Sequence, residues 1–277
     1  MTNDIYGPFP GGPRAFGQTL LDALTDGQRA RYEELGANLD VVERRIEAAC
    51  RAAGRSRDEV TLIVVTKTYP AEDSALLAGL GVTDVAENRD QDAAPKAELC
   101  ANLPLEWHFV GQLQTNKVRS VVRYANRVHS VDRLRLVGSL SAAVLKSERP
   151  ELGCLVQVAL DKEAGEVGAV PGSPGSGEGR AGVAPADVAA LADAIAAAPG
   201  LRLDGVMTVA PLAGPLAGDP ARAFERLAEI STAVRASHPA ATMVSAGMSG
   251  DLEQAVAAGA THVRVGTAVL GVRSPLG

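Results

Sequence analysis

Thr61-Leu62-Ile63-Val64-Val65-Thr66 is followed at once by Lys67, and the reading of the whole chain starts from this run. It is apolar or β-branched throughout, with no polar alternation and too few residues for a helix. It therefore suits a strand buried on both faces, the kind found in parallel sheets covered by helices. Similar runs recur at residues 83–86, 107–110, 127–131, 154–160, 203–208, 242–246 and 262–265. Helical patterns lie between them. Pro185 opens one that carries Val188, Leu191 and Ile195 and stops at Pro199-Gly200; Asp219-Pro220 caps another that carries Phe224, Leu227 and Val234. Strands that alternate with helices imply parallel pairing, because each return needs a crossover. The predicted fold is α/β: a single (β/α)8 barrel, with chemistry expected at the C-terminal ends of its strands.

Upstream, Leu35, Leu39, Val42 and Ile46 form the stripe of an amphipathic helix that runs to about residue 53. Residues 1–27 are expected to be a flexible N-terminal arm, rich in Gly, Pro and polar side chains. Residues 28–277 are expected to form the barrel, interrupted by a Gly-rich flexible loop at 163–185. That loop contains Gly177-Glu-Gly179-Arg-Ala-Gly182, a formal dinucleotide fingerprint. It does not follow a strand directly, so it reads as loop. Gly111 to Lys117 has Asn116 where a phosphate-binding loop needs its second glycine.

Composition sets outer bounds. The chain has 277 residues, with 27 Lys plus Arg against 33 Asp plus Glu and a net charge of −6, which argues against a nucleic-acid footprint. No apolar run approaches the length of a membrane span, and the N-terminus has no signal-peptide pattern. Cys50, Cys100 and Cys154 are odd in number and widely spaced, as expected for reduced thiols of a cytoplasmic protein. The four histidines show no metal-ligand spacing, so no metal is expected.

Lys67 at a strand end, walled by apolar residues, is expected to lose solvation and to be capable of Schiff-base chemistry. Alone, it reads first as a strand-end lysine reaching into solvent. Two later segments add weight. Ser245-Ala-Gly-Met-Ser249-Gly-Asp251 follows the seventh run, and Arg264-Val-Gly266-Thr267 lies at the end of the eighth. Barrel phosphate sites are commonly built from the loops after strands seven and eight. Closure sets strand one beside strand eight, so amine and phosphate cradle face one space. A ligand carrying both an aldehyde and a phosphate fits that arrangement, and pyridoxal 5′-phosphate (PLP) is such a ligand.

The sequence resembles the YggS/PROSC family of PLP-binding proteins, whose barrel is similar to the N-terminal domain of alanine racemases. The resemblance covers roughly residues 35 to 273. It is carried by Val65-Thr-Lys67-Thr with Pro70, Ala86-Glu-Asn88, the block from Glu106 to Lys117, and His129-Ser-Val-Asp-Arg133. It continues through Gly205-Val-Met207, the Ser245 block and Arg264-Val-Gly-Thr267. It implies a covalent PLP aldimine on Lys67, phosphate contacts from Ser249, Gly266 and Thr267, and Arg264 directed at the pyridine nitrogen. Asn88, Met207 and Ser245 are the other implied cofactor contacts; His108 matches too and is expected to be a hydrogen-bonded packing residue. Ala86 stands where the family usually has glycine.

The resemblance further implies a role in vitamin B6 homeostasis: reversible PLP binding without robust turnover, with PLP-dependent apoenzymes as recipients. A PLP-dependent racemase is the alternative reading, and a Schiff-base aldolase-type barrel a third. A two-base racemase needs an acid–base group on each face of the cofactor; the resembled alanine racemases take one from a tyrosine of an additional domain, and no such domain is expected after the eighth run. Its absence also makes a monomer the expectation. None of Tyr6, Tyr32, Tyr69 and Tyr124 falls in a matching motif.

Overall fold

The structure is a computed structural model describing residues 24–147, 149–162 and 181–271. Eight parallel strands close into a barrel in the order in which they occur in sequence. They are β1 (Thr61–Val65), β2 (Asp84–Glu87), β3 (Glu106–Phe109), β4 (Arg127–Val131), β5 (Leu152–Gln157), β6 (Leu201–Met207), β7 (Met243–Ser245) and β8 (His262–Val265). Closure is made by β1 on β8, with Thr61 opposite His262 and Val64 opposite Val265. Each of the eight expected runs became a strand, shifted by a residue or two at most ends. The largest shift is at β5, which ends at Gln157 because Val158 makes only an isolated bridge, to Val183.

The intervening helices are α2 (Ala71–Gly79), α3 (Asp90–Leu99), α4 (Val118–Tyr124), α5 (Leu134–Lys146), α6 (Val188–Ala197), α7 (Pro220–Ser237), α8 (Leu252–Ala257) and α9 (Thr267–Leu270). Ahead of them runs α1 (Asp26–Ala52), capped by Thr25 in a reciprocal box with Gln28. Its buried residues are Leu35, Val42, Ile46, Ala49 and Cys50, the expected stripe except that Leu39 is only partly covered.

Alternation along the strands divides the core. Val64, Val85, Val156, Val206 and Val244 pack outward against helices, whereas Ile63, Ala86, Leu155, Met207 and Met243 form a separate cluster inside the barrel. Gly205 is required where β6 meets β7: a Cβ there would lie 1.9 Å from the Met243 carbonyl oxygen.

Two expected boundaries move. Leu24 is buried and Thr25 caps α1, so residues 24–27 belong to the folded body and not to an arm. Residues 181–184 are not free loop either. Val183 donates to Gln157 O and its own carbonyl accepts from Ala159 N, both at 2.9 Å, because the backbone at the end of β5 needs partners. The rest of the expected arm (1–23) and loop (163–180) lies outside the described residues. Among the described residues no helix is long and apolar enough to cross a membrane, and the three cysteines are buried and unpaired.

Candidate functional site

A cavity of about 530 Å³ opens at the C-terminal mouth of the barrel. Seven of the eight expected contacts line it: Lys67, Asn88, Met207, Ser249, Arg264, Gly266 and Thr267. Ser245 does not line it. It is fully buried one layer below, where it accepts from Arg264.

On one side the cavity rests on β1 and β2. Thr66, the residue before Lys67, is fixed at three atoms. Its amide donates to Ala86 O at 3.0 Å, its hydroxyl to Glu87 Oε1 at 2.7 Å, and its carbonyl accepts from Lys96 Nζ at 2.9 Å. Lys96 and Glu87 are themselves hydrogen-bonded as an ion pair, with side chains 5% and 1% exposed. A buried charged pair is stable only when both charges stay paired, so this unit is rigid by necessity. On the other side of Lys67, Thr68 has φ of 69°, the single non-glycine residue in the left-handed region among the described residues. Such a conformation costs on the order of 1 kcal/mol and typically persists where surrounding structure enforces it. Lys67 itself is exposed, with no hydrogen bond or ion pair among the described residues. The expected desolvation is thus not produced by the cavity walls alone.

On the opposite side the loops after β7 and β8 contribute Ser249, Gly250, Gly266 and Thr267. The backbone amides of Ser249, Gly250 and Thr267 have no partner among the described residues, whereas the neighbouring Met248 amide donates to Asp251 Oδ1 at 2.6 Å. Both loops are held from behind by α1. Arg45 reaches Ser249 O at 3.0 Å and pairs with Glu253 at 2.8 Å; Asn38 donates to Val269 O and Arg31 to Leu270 O, each at 3.0 Å. Sequence reasoning missed these three. Their signal was their spacing, since residues 31, 38 and 45 recur every two helical turns on one stripe.

Arg264 crosses beneath the cavity. It is 4% exposed, and donates from Nη1 to Ser245 Oγ at 2.6 Å and from Nη2 to Thr208 O at 2.8 Å. No carboxylate pairs with it among the described residues, and burial pushes its guanidinium down to about 10, so it remains a cation at neutral pH. Gly111, inside the block from Glu106 to Lys117, is needed because a Cβ there would sit 2.0 Å from the Asn88 carbonyl oxygen. Tyr69 also lines the cavity, unforeseen from sequence; its hydroxyl donates to Gly271 O at 2.7 Å. His108 is hydrogen-bonded and fully buried, as expected.

Among the described residues, barrel and cavity together define an α/β barrel whose mouth holds one unpaired amine, one buried cation and a set of unpartnered amides. Residues 37–274 match the family described as alanine racemase, N-terminal domain. The pyridoxal phosphate homeostasis protein of Mycobacterium leprae is 38% identical over 92% of this chain and 100% of its own length. That of Pseudomonas aeruginosa is 37% identical over 86% of this chain and 96% of its own. Among solved structures, PipY of Synechococcus elongatus with PLP bound matches with a TM-score of 0.67 and 29% identity. It covers 86% of this chain and 100% of its own. The chain belongs to the alanine racemase N-terminal domain family, in its pyridoxal phosphate homeostasis branch.

Proposed function

We propose that this chain binds PLP reversibly at the barrel mouth and serves intracellular vitamin B6 homeostasis, holding the reactive aldehyde for release to apoenzymes. One observation carries the reading: among the described residues, a buried, carboxylate-free arginine, an unpaired lysine amine and unpartnered backbone amides line a single cavity of suitable size. These groups fit PLP chemically. Lys67 supplies an amine for the aldehyde, the Ser249–Gly250 and Gly266–Thr267 loops supply donors for the phosphate, and Arg264 supplies a donor for the ring nitrogen. Asn88 and Met207 complete the walls. The relatives' names and the PLP in the PipY structure support the assignment.

When bound, PLP supplies an electrophilic aldehyde and a ring able to accept electron density. Arginine is a permanent donor, so Arg264 holds the ring nitrogen unprotonated and weakens the ring as an electron sink, which favours storage over turnover. Ser245 and Thr208 orient Arg264, and the Glu87–Lys96 pair fixes the backbone from which Lys67 projects. A racemase would need an acid–base group on each face of the bound ring. Tyr69 is two residues from Lys67 and its hydroxyl is engaged with Gly271 O.

The test is an absorbance spectrum of the purified protein after incubation with PLP. A yellow, protein-bound chromophore that Lys67→Ala abolishes is expected, without loss of optical rotation in L-amino-acid solutions. A wild-type protein that takes up no PLP would overturn the proposal.

A further inference from the structure

Beneath Arg264 the barrel interior carries an unbroken line of polar side chains from four strands. Asp84 Oδ1, at the start of β2, lies 2.9 Å from His108 Nε2 in β3. His108 Nδ1 lies 2.8 Å from His129 Nε2 in β4, their rings edge-on at 77°. His129 Nδ1 lies 3.0 Å from Ser245 Oγ at the end of β7, the hydroxyl that also accepts from Arg264. Both imidazoles and Ser245 are fully buried. The line runs from the N-terminal end of the strands to the cavity.

Its ends dictate its proton order. Asp84 is held ionised: burial raises its carboxyl, but hydrogen bonds from His108 and Thr83 outweigh that and keep it below the ordinary range. An ionised carboxylate only accepts, so His108 donates from Nε2. A neutral His108 then accepts at Nδ1, which makes His129 the donor from Nε2. A neutral His129 in turn accepts at Nδ1 from the Ser245 hydroxyl. The remaining lone pairs of Ser245 Oγ face Arg264, which can only donate. Both rings stay neutral because burial dominates: at His108 it outweighs the Asp84 carboxylate, which pulls the other way, and at His129 the charges of Arg264 and Arg127 add to burial. Among the described residues, the titratable groups facing the line from adjacent strands are Glu106, Arg127, His262 and, further off, Asp204, and none of them hydrogen-bonds His108 or His129.

We infer that Asp84, His108, His129 and Ser245 form a proton-ordered relay of positioning residues that sets the orientation of Arg264 toward the bound ring. The inference rests on the reading of Arg264 as a cofactor contact. Every link has one proton and one acceptor, so the line has a single low-energy arrangement, and each bond polarises the next. Arg264 is thereby anchored on its inner side by neutral acceptors, which leaves its charge uncompensated on the side of the cavity.

The test has two arms. In the ligand-free wild-type protein, nitrogen NMR of the imidazoles should show His108 and His129 both protonated at Nε2 and free at Nδ1 at neutral pH. In PLP titrations, Ser245→Ala should weaken binding by about tenfold, the loss expected for a hydrogen bond to a charged group, and shift the absorbance maximum of the bound chromophore. Ser245→Thr should restore both. His108→Leu alone should weaken binding by roughly threefold, and add nothing on top of Ser245→Ala, because residues acting through one link are not additive. Either imidazole protonated at Nδ1, fully additive losses, or an unshifted chromophore in Ser245→Ala would overturn the relay. If His108→Leu does not fold, the NMR arm and the Ser245 pair still decide. A wild-type protein that binds no PLP would instead sink the functional reading, an outcome separable from failure of the cycle.

Discussion

The two ends of the barrel treat charge in opposite ways. At the N-terminal end Arg127 and Arg202 are matched by carboxylates: Arg127 pairs with Asp204 at 3.2 Å and Glu106 at 3.3 Å, and Arg202 pairs with Asp204 at 2.5 Å. At the C-terminal mouth, Lys67 and Arg264 have no carboxylate partner among the described residues. The first pattern satisfies the fold and asks for nothing further. The second leaves positive charge and amide donors pointed at a cavity, which is stable in company with an anionic ligand. Beneath the mouth, Glu87–Lys96 is a paired unit of the first kind used to fix a residue of the second.

The sharpest break in this contrast is Glu87→Gln. It leaves the Lys96 ammonium buried and unpaired, and should cost about 3–5 kcal/mol in urea unfolding, the range for breaking one partner of a buried pair. Arg264→Leu comes next. PLP affinity should fall by about 2–3 kcal/mol, roughly a hundredfold, in a fluorescence titration. The unfolding free energy of the ligand-free protein should hold or rise, since a desolvated charge is removed. A concurrent large loss of stability would show that Arg264 serves the fold as well as the ligand.

Acid should then act through the buried imidazoles. Burial, followed by the charge of His108, pushes His262 down to about 4, and burial also depresses His108 and His129. The unfolded chain takes up these protons near pH 6.5, before the folded chain does. Stability is therefore complete above about pH 6.5 and falls progressively toward pH 4, steeper than carboxylates alone would give. Urea midpoints across that window check the slope. The smallest effect belongs to Arg127→Ala. Its pairs are partly exposed, so stability should change by no more than about 1 kcal/mol, with PLP affinity unaltered.

Much of the fold was legible because buried parallel strands announce themselves as short apolar runs. The mouth residues followed from where those runs end. What escaped the sequence were dependencies between distant segments. Tyr69 meets Gly271, and Arg31, Asn38 and Arg45 brace loops more than 200 residues away. Ser245 sits in a block that reads as a ligand loop, yet the pleat turns its side chain inward and down toward His129. His108 was expected to be a hydrogen-bonded packing residue, but its partner His129 went unforeseen, since 21 residues of chain separate them while their ring nitrogens lie 2.8 Å apart.

By itself, then, the sequence determined the barrel, its strands to within a few residues and most of the residues at its mouth, because hydrophobic periodicity and chain order are local properties. Only the tertiary structure decided which charges go unpaired, that Lys67 stands exposed, and that Arg264 rests on a line of imidazoles. Pairing, burial and proton order depend on which strands closure sets side by side, and no single segment contains that information.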